Sequence, residues 1–418
     1  MNNRVAIIDS VRTPFVKAAG VFSHLSSFDL ASHCIKGMRE RLQFDASLLD
    51  EVIFSTVLMD PRVPNFGREL VLRNGLPKTV TGHFVSNNCI SGLLAASYAL
   101  DSIQTGRIKS AIVGGVESMS MPALLFNNQA RNFFLELGRA KTTLEKLRIF
   151  LSFRLSFLSP EVPSPKEPST GLTMGQHCEI TAKEFGISRE EQDGIAYRSH
   201  MNASKAKDAG ILKEEILPMG AIHDDNIVRK ETSLNKLSTL KPVFDRSEKG
   251  TITAGNASPL TDGASAVLLM SESEAKRLKL EILGFIEHIE FASIDPSHGL
   301  LMAPAVALPR LFERTKLKFS EVDRFEVHEA FGAQVAANKK AWREGWSLYP
   351  DAKAIGEIPE EKLNVNGSSI ALGHPFGATG GRIIGSLVRE LKRNNLKKGV
   401  ISICAAGAGA GAALITRE

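Results

Sequence analysis

The chain has 418 residues, 43% of them hydrophobic and 23% charged, which fits a globular protein with more than one core. A net charge of +5 suits either an anionic ligand or an ordinary solvated basic surface, and it is too small to single out nucleic acid as a partner. Cys34, Cys89, Cys178 and Cys404 stand far apart with no CxxC pair, which argues against a disulfide framework or a structural zinc site and for free thiols in a reducing compartment.

The start, MNNRVAIIDSVRTP, enters an apolar strand without the charged lead and longer apolar core of a signal peptide. No apolar run approaches the roughly 18 to 20 residues a spanning helix needs. The expectation is a cytoplasmic protein, or a mitochondrial one in a eukaryote.

Apolar and β-branched runs predict strands at Val5–Ile8, Glu51–Leu58, Ala111–Val113, Val267–Met270, Arg324–Val327 and Val400–Cys404. They alternate with longer helical stretches, the rhythm of an α/β layered protein. Residues 121–250 read as a mainly helical, charged insertion, broken by the Pro-rich stretch SPEVPSPKEPSTG at Ser159–Gly171. The predicted division is therefore 1–120 with 251–274 as a first half, 121–250 as an inserted loop domain, and 275–418 as a second half. Each half carries a glycine-flanked segment, NNCISG at Asn87–Gly92 and GHPFGATGG at Gly373–Gly381, which hints at an internal repeat. Between Phe126 and Ser156, basic residues such as Arg131, Arg139 and Lys146 alternate with Phe133, Phe134, Leu147 and Phe150. That pattern fits an amphipathic helix packed on its own protein, a partner surface, a membrane surface, or a basic rim to a substrate tunnel.

Cys89 precedes a long helical pattern, and a helix N-terminus favours thiolate. Taken alone it reads more readily as a small buried core residue, the commoner case. His374, in ALGHPFGATGGR, has the chemistry to take a thiol proton near neutral pH, or to be a solvated turn histidine. Cys404 ends the strand GVISICAAG and is followed by small residues that let backbone approach a ligand closely. Gly407, Gly409 and Gly411 lack the GxGxxG spacing of a dinucleotide loop, and no GxxxxGK[ST] loop is present. His328 and Glu329 follow RFEV and are predicted to open the next helix. They are not HExxH, and they fit either an oxyanion- or water-orienting pair or a helix cap.

Together these segments resemble the thiolase family over essentially the whole chain. The resemblance rests on NNCISG, on TAGNASPLTDGASAV at Thr253–Val267, on NVNGSSIALGHPFGATGGR at Asn364–Arg382, and on Cys404 with its small residues. It is nearest the 3-ketoacyl-CoA thiolase (beta) subunits of fatty-acid oxidation complexes, because His328 stands in HEAF where many thiolases have Asn in NEAF. The resemblance implies an αβαβα fold of two similar halves, with the insertion over the active site, in a homodimer or larger assembly. It implies Cys89 as the acylated nucleophile, His374 as its base and Cys404 as the acid/base at the α-carbon. His328 and His374 would serve the enolate, and the backbone N–H groups of Cys89 and Ala406 the tetrahedral oxyanion. Ala254, Ser258, Phe331 and Met174 would line the acyl-CoA channel. CoA enters as co-substrate, with no bound cofactor and no metal, and a hydratase/dehydrogenase alpha subunit or a peripheral membrane contact are implied partners. Thr173 stands where short-chain acetoacetyl-CoA thiolases have a histidine before Met-Gly, which favours medium or long acyl chains. The rival readings are an acetoacetyl-CoA thiolase, a decarboxylating ketoacyl synthase, which would carry a histidine in place of Cys404, and a non-catalytic acyl-CoA-binding scaffold.

Overall fold

The computed structural model describes residues 3–43, 45–161 and 166–418. Residues 162–165, inside the Pro-rich stretch, lie outside the described residues. The strands are β1 (Val5–Arg12), β2 (Val16–Lys17), β3 (Glu51–Ser55), β4 (Thr81–Val85), β5 (Ser110–Glu117), β6 (Thr261–Ser271), β7 (Gly284–Ser293), β8 (Arg324–Val327), β9 (Lys398–Ala405) and β10 (Gly409–Thr416). The described residues form a 10-stranded sheet in the order β8-β9-β10-β7-β1-β6-β5-β3-β4, with β2 on β6, and a separate pair formed by Leu125–Phe126 and Pro160–Glu161.

The pairing pattern occurs twice. In the first half β1 and β5 flank β6 antiparallel and β3 runs parallel to β5. In the second, β7 and β9 flank β10 antiparallel and β8 runs parallel to β9. The halves meet where Val5–Ile7 pair with Gly284–Ile286.

Side chains alternate across a strand, so a strand buried on both faces reads as a continuous apolar run. Val5 and Ile7 enter one cluster and Ala6 and Ile8 another, and Ile401 and Ile403 separate from Val400 and Cys404 in the same way. The shared middle cluster holds helices α3 (Ser91–Gln104) and α10 (Thr379–Arg393) between the half-sheets. Outside the first half lie α1 (Ser27–Leu42) and α2 (Phe66–Arg73), and outside the second α8 (Pro304–Thr315) and α9 (Gly332–Glu344). The result is the αβαβα layering that the thiolase resemblance implies.

The inserted stretch forms a hairpin of α4 (Asn128–Arg139) and α5 (Thr143–Phe150), then α6 (Met174–Glu184) and α7 (Arg189–Asp208), which pack on α9. The hairpin has a small core of its own around Ala130, Phe133 and Phe157. Leu144, Leu147, Phe150, Leu151 and Leu155 stay exposed on it, so the amphipathic stretch buries only part of its apolar side chains.

Three boundaries differ from the reading above; the first is that β3 stops at Ser55, short of the expected Leu58, because the Val57 and Leu58 N–H groups turn to the Glu117 carboxylate. Residues 328–331 lie in the turn between β8 and α9 and do not open the helix, which begins at Gly332 with Phe331 as its cap. The Gly/Ala run after Cys404 turns back and becomes β10. Its Gly411 lies where a Cβ would come within 2.8 Å of Leu93, so the middle layer needs a residue without a side chain there.

Candidate active site

Both central helices carry a glycine in the first turn, Gly92 and Gly380, because these turns touch backbone to backbone. A Cβ on Gly380 would lie 2.4 Å from the Leu93 nitrogen, and one on Gly92 2.7 Å from the Gly377 carbonyl oxygen. This close approach puts the residues just before each helix, Cys89 and His374, side by side. It is the physical reason that the two glycine-flanked segments look alike.

Cys89 Sγ lies 3.1 Å from His374 Nε2. His374 Nδ1 lies 2.7 Å from Thr379 Oγ1, whose own proton goes to the Pro375 carbonyl. Thr379 therefore accepts from Nδ1–H, and Nε2 presents its lone pair to the thiol. The ring of His328 lies tilted against that of His374, with centroids 4.1 Å apart. Its Nδ1 meets Ser369 Oγ at 2.7 Å, and Ser369 also accepts from Arg382. With its proton directed to Nδ1, Ser369 selects the tautomer of His328 that carries the ring proton on Nε2; turned away, it accepts from Nδ1–H and leaves Nε2 with a lone pair. That nitrogen is buried and has no hydrogen-bond partner among the described residues. A buried, unpartnered ring nitrogen beside a thiol is free to bond to an atom of a bound ligand.

Cys404 ends β9, and Ala406–Ala408 form the turn into β10, with Gly407 and Ala408 at left-handed φ of 74° and 54°. The peptide joining Ala406 and Gly407 is held at both ends, its carbonyl by Asn88 Nδ2 at 3.0 Å and its N–H by Glu167 at 2.9 Å. Asn88 itself is left-handed, φ 47°, which asparagine tolerates better than most residues. So clamped, the turn aims the Ala406 N–H at the Cys89 sulfur. Glu117, at the end of β5, accepts from Thr56, Leu58 and the Gly377 N–H, and so ties the His374 loop to the first half.

The electrostatics define a neutral resting pair. Burial pushes the Cys89 thiol up to about 12, against the Ala406 N–H and the Cys89 N–H, which favour thiolate, and with Glu117 adding to the rise. Burial, with the Arg382 charge, drops His374 to about 3. His328 is held well below the usual histidine range by burial, His374 and Arg382. Cys404 is pushed far up by burial and by Cys89 and Cys178. Desolvation thus outweighs the helix terminus that made thiolate attractive on sequence grounds, and the proton must move when substrate binds. The alkylation rate of Cys89 by iodoacetamide should accordingly climb steadily from about pH 6 to about pH 10, following thiolate fraction. A plateau reached below about pH 8 would contradict a neutral pair.

The residues expected to line an acyl-CoA channel lie in or beside the apolar cluster that holds Cys404. Phe331, Met174, Ala257 and Phe244 pack in the same apolar cluster as Cys404, and Phe331 meets Phe244 edge-on at 5.9 Å. The Ser258 N–H donates to the Ala330 carbonyl, and Leu260 bridges to His374, so the TAGNAS loop spans HEAF and GHP. Ala254 is exposed and Ser258 half-buried on that loop. Glu329 does not orient an oxyanion: its carboxylate accepts from Ser199, Asn364 and the Ile370 N–H as buried scaffolding. Thr379, Ser369, Arg382, Asn88, Glu117 and Glu167 have no separate signature in the sequence. All but Glu117 and Glu167 stand within the motif segments already picked out.

Fold and site define a cysteine-dependent acyl-transfer enzyme built from two similar halves. The profile described as thiolase, N-terminal domain, matches residues 5–273, and that described as thiolase, C-terminal domain, matches 280–418. A 3-ketoacyl-CoA thiolase of Pseudoalteromonas translucida is 40% identical, covering 99% of this chain and 96% of the relative, and one of Serratia proteamaculans is 38% identical over the same shares. Among solved structures, the acetyl-CoA acetyltransferase of Bacillus anthracis superposes with TM-score 0.85 at 31% identity over 99% of each chain. That of Syntrophomonas wolfei gives 0.85 at 33% over 100% of each. The chain belongs to the thiolase family of acyltransferases. Among the described residues, no helix is long and apolar enough to cross a membrane.

Proposed function

We propose that the chain cleaves medium- and long-chain 3-ketoacyl-CoA with CoA, giving acetyl-CoA and a shortened acyl-CoA, as a step of fatty-acid β-oxidation. The observation that carries this reading is the Cys89–His374 contact at 3.1 Å with the unpaired Nε2 of His328 beside it. In the proposed cycle His374 takes the Cys89 proton as sulfur attacks the 3-keto carbon. The oxyanion rests on the N–H groups of Cys89 and Ala406. The C2–C3 bond breaks, its electrons pass to an acetyl-CoA enolate held by His374 and His328, and Cys404 S–H protonates C2. Cys404 recovers its proton from His374. In the second half His374 deprotonates CoA, the CoA thiolate attacks the acyl-Cys89 thioester, and Cys89 leaves with the proton returned by His374. Ala254, Ser258, Phe331 and Met174 line the channel in this reading.

A second reading, an acetoacetyl-CoA thiolase, has the printed names of the solved neighbours on its side. Thr173 before Met174 argues for the longer chain. Loss of 3-ketoacyl-CoA absorbance with C4 and C16 substrates separates them: the proposal expects C16 to be preferred at least about tenfold in kcat/KM, which needs only ~1.4 kcal/mol, and a C4 preference selects the alternative.

The assembly is proposed as a homodimer or larger. Strand β4 is one of the two terminal strands of the sheet among the described residues and leads directly to Cys89, an edge that a second copy would cover. The hairpin of α4 and α5 is proposed to meet a hydratase/dehydrogenase subunit or a membrane surface, and the location is proposed as cytoplasmic. The domain division 1–120 with 251–274, 121–250 and 275–418 is kept, supported by the return of β6 into the first half-sheet. Leu144, Leu147 and Leu151 changed together to Ser should leave activity unchanged and weaken capture by that subunit or by anionic vesicles. Wild-type capture by both after the change would remove the hairpin from the account.

A further inference from the structure

We propose that Cys89, His374 and His328 also form a binding site for a thiophilic divalent cation such as zinc, and that a bound cation reversibly blocks acyl transfer. One ligand atom from each, a thiol sulfur and two imidazole nitrogens, lies within 4.8 Å of the others. Ligands of a tetrahedral zinc stand roughly 3.4 to 3.6 Å apart, given Zn–N near 2.1 Å and Zn–S near 2.3 Å. The Cys89–His374 separation of 3.1 Å therefore opens by about 0.5 Å and the others close by up to about 1.4 Å.

The outer partners match what a metal-binding histidine needs, a group that fixes the other ring nitrogen. Thr379 holds Nδ1 of His374 and leaves Nε2 with a lone pair facing the sulfur. Ser369 holds Nδ1 of His328, and rotating that hydroxyl lets it accept from both Arg382 and Nδ1–H. The His328 Nε2 lone pair is then free, and this buried nitrogen has no other partner among the described residues. The thiolate neutralises half the ion's charge. The Arg382 charge opposes the ion, but it is itself paired with Glu326 at 2.8 Å. A fourth position remains for water or an external thiol.

Because Cys89 supplies the nucleophile and His374 the base, a cation there removes both at once. Inhibition should follow occupancy and be undone by a chelator. Chelator-stripped protein is titrated with Co2+, then with Zn2+, while near-ultraviolet absorption and 3-ketoacyl-CoA cleavage are followed. The expected result is one Co2+ per chain with a thiolate-to-cobalt charge-transfer band, displaced by zinc, and activity lost in step and restored by EDTA. Cys89→Ala should lose the band, and His328→Asn should weaken zinc binding at least roughly 100-fold, the upper end of what an outer partner alone is worth. Ser369→Ala, which spares all three ligands, should weaken it about tenfold. The proposal is overturned if wild type retains no Co2+, if the band persists in Cys89→Ala, or if His328→Asn binds zinc as tightly as wild type. Metal binding is read directly, so the outcome does not depend on which acyl-CoA the enzyme prefers.

Discussion

Cys89→Ala should fold normally, form no acyl-enzyme, and cleave 3-ketoacyl-CoA at least about 10^4-fold more slowly than wild type, since removing the member of a catalytic unit that makes the covalent bond costs most of what the unit supplies. Fold should survive because the residue is only partly buried and its loss removes one sulfur at the edge of the middle layer. His374, Thr379 and the Ala406 turn are held by bonds that do not involve the Cys89 side chain. Steady-state cleavage with thermal melting checks this. Residual activity within about 100-fold of wild type would mean that another group carries the acyl unit.

Cys404→Ala should separate the two halves of the reaction. Transfer of an acyl group from acyl-CoA onto Cys89 involves no carbon acid, so it should stay within about tenfold of wild type, whereas C–C cleavage should fall about 10^3-fold, within the 10^2–10^4 range typical of a positioned acid/base. The packing change is small, a buried sulfur at the end of β9. The distinguishing readout is deuterium uptake from D2O into the methyl group of acetyl-CoA, which the variant should lose. Exchange at the wild-type rate would assign the α-proton to another residue, with His328 next in line by position.

Much of the fold was legible because strands buried on both faces must be apolar throughout. Val5–Ile8, Ala111–Val113, Val267–Met270, Arg324–Val327 and Val400–Cys404 all fall inside observed strands. Apart from the two-residue β2, three strands have no such signature, each for a physical reason. Strand β4 is a sheet edge with Thr81 and His83 on it, and β7 carries Glu287, His288 and Glu290 among its apolar residues. Strand β10 uses Gly and Ala, poor strand formers, because Leu93 and Phe291 fill the space beside Gly411. The internal repeat showed weakly, since what the halves share is a backbone contact at Gly92 and Gly380 and little else in side-chain identity.

In the site, Cys89, His374, His328 and Cys404 stood out because reactive side chains among glycines and small residues are uncommon. Their protonation was not legible. It depends on Thr379 and Ser369, ordinary hydroxyls whose partners are decided by folding, and on burial that no local pattern reports. Glu167 was passed over as one charge in a Pro-rich stretch, and only the three-dimensional structure sets it against the Gly407 N–H.

The most direct test is to mix wild-type protein with 3-ketohexadecanoyl-CoA in the absence of CoA, then measure acetyl-CoA release and the mass of the protein. One equivalent of acetyl-CoA per site, and a tetradecanoyl adduct mapped to the peptide containing Cys89 and discharged by added CoA, is the predicted result. No release, or an adduct on Cys34, Cys178 or Cys404 in place of Cys89, would contradict it.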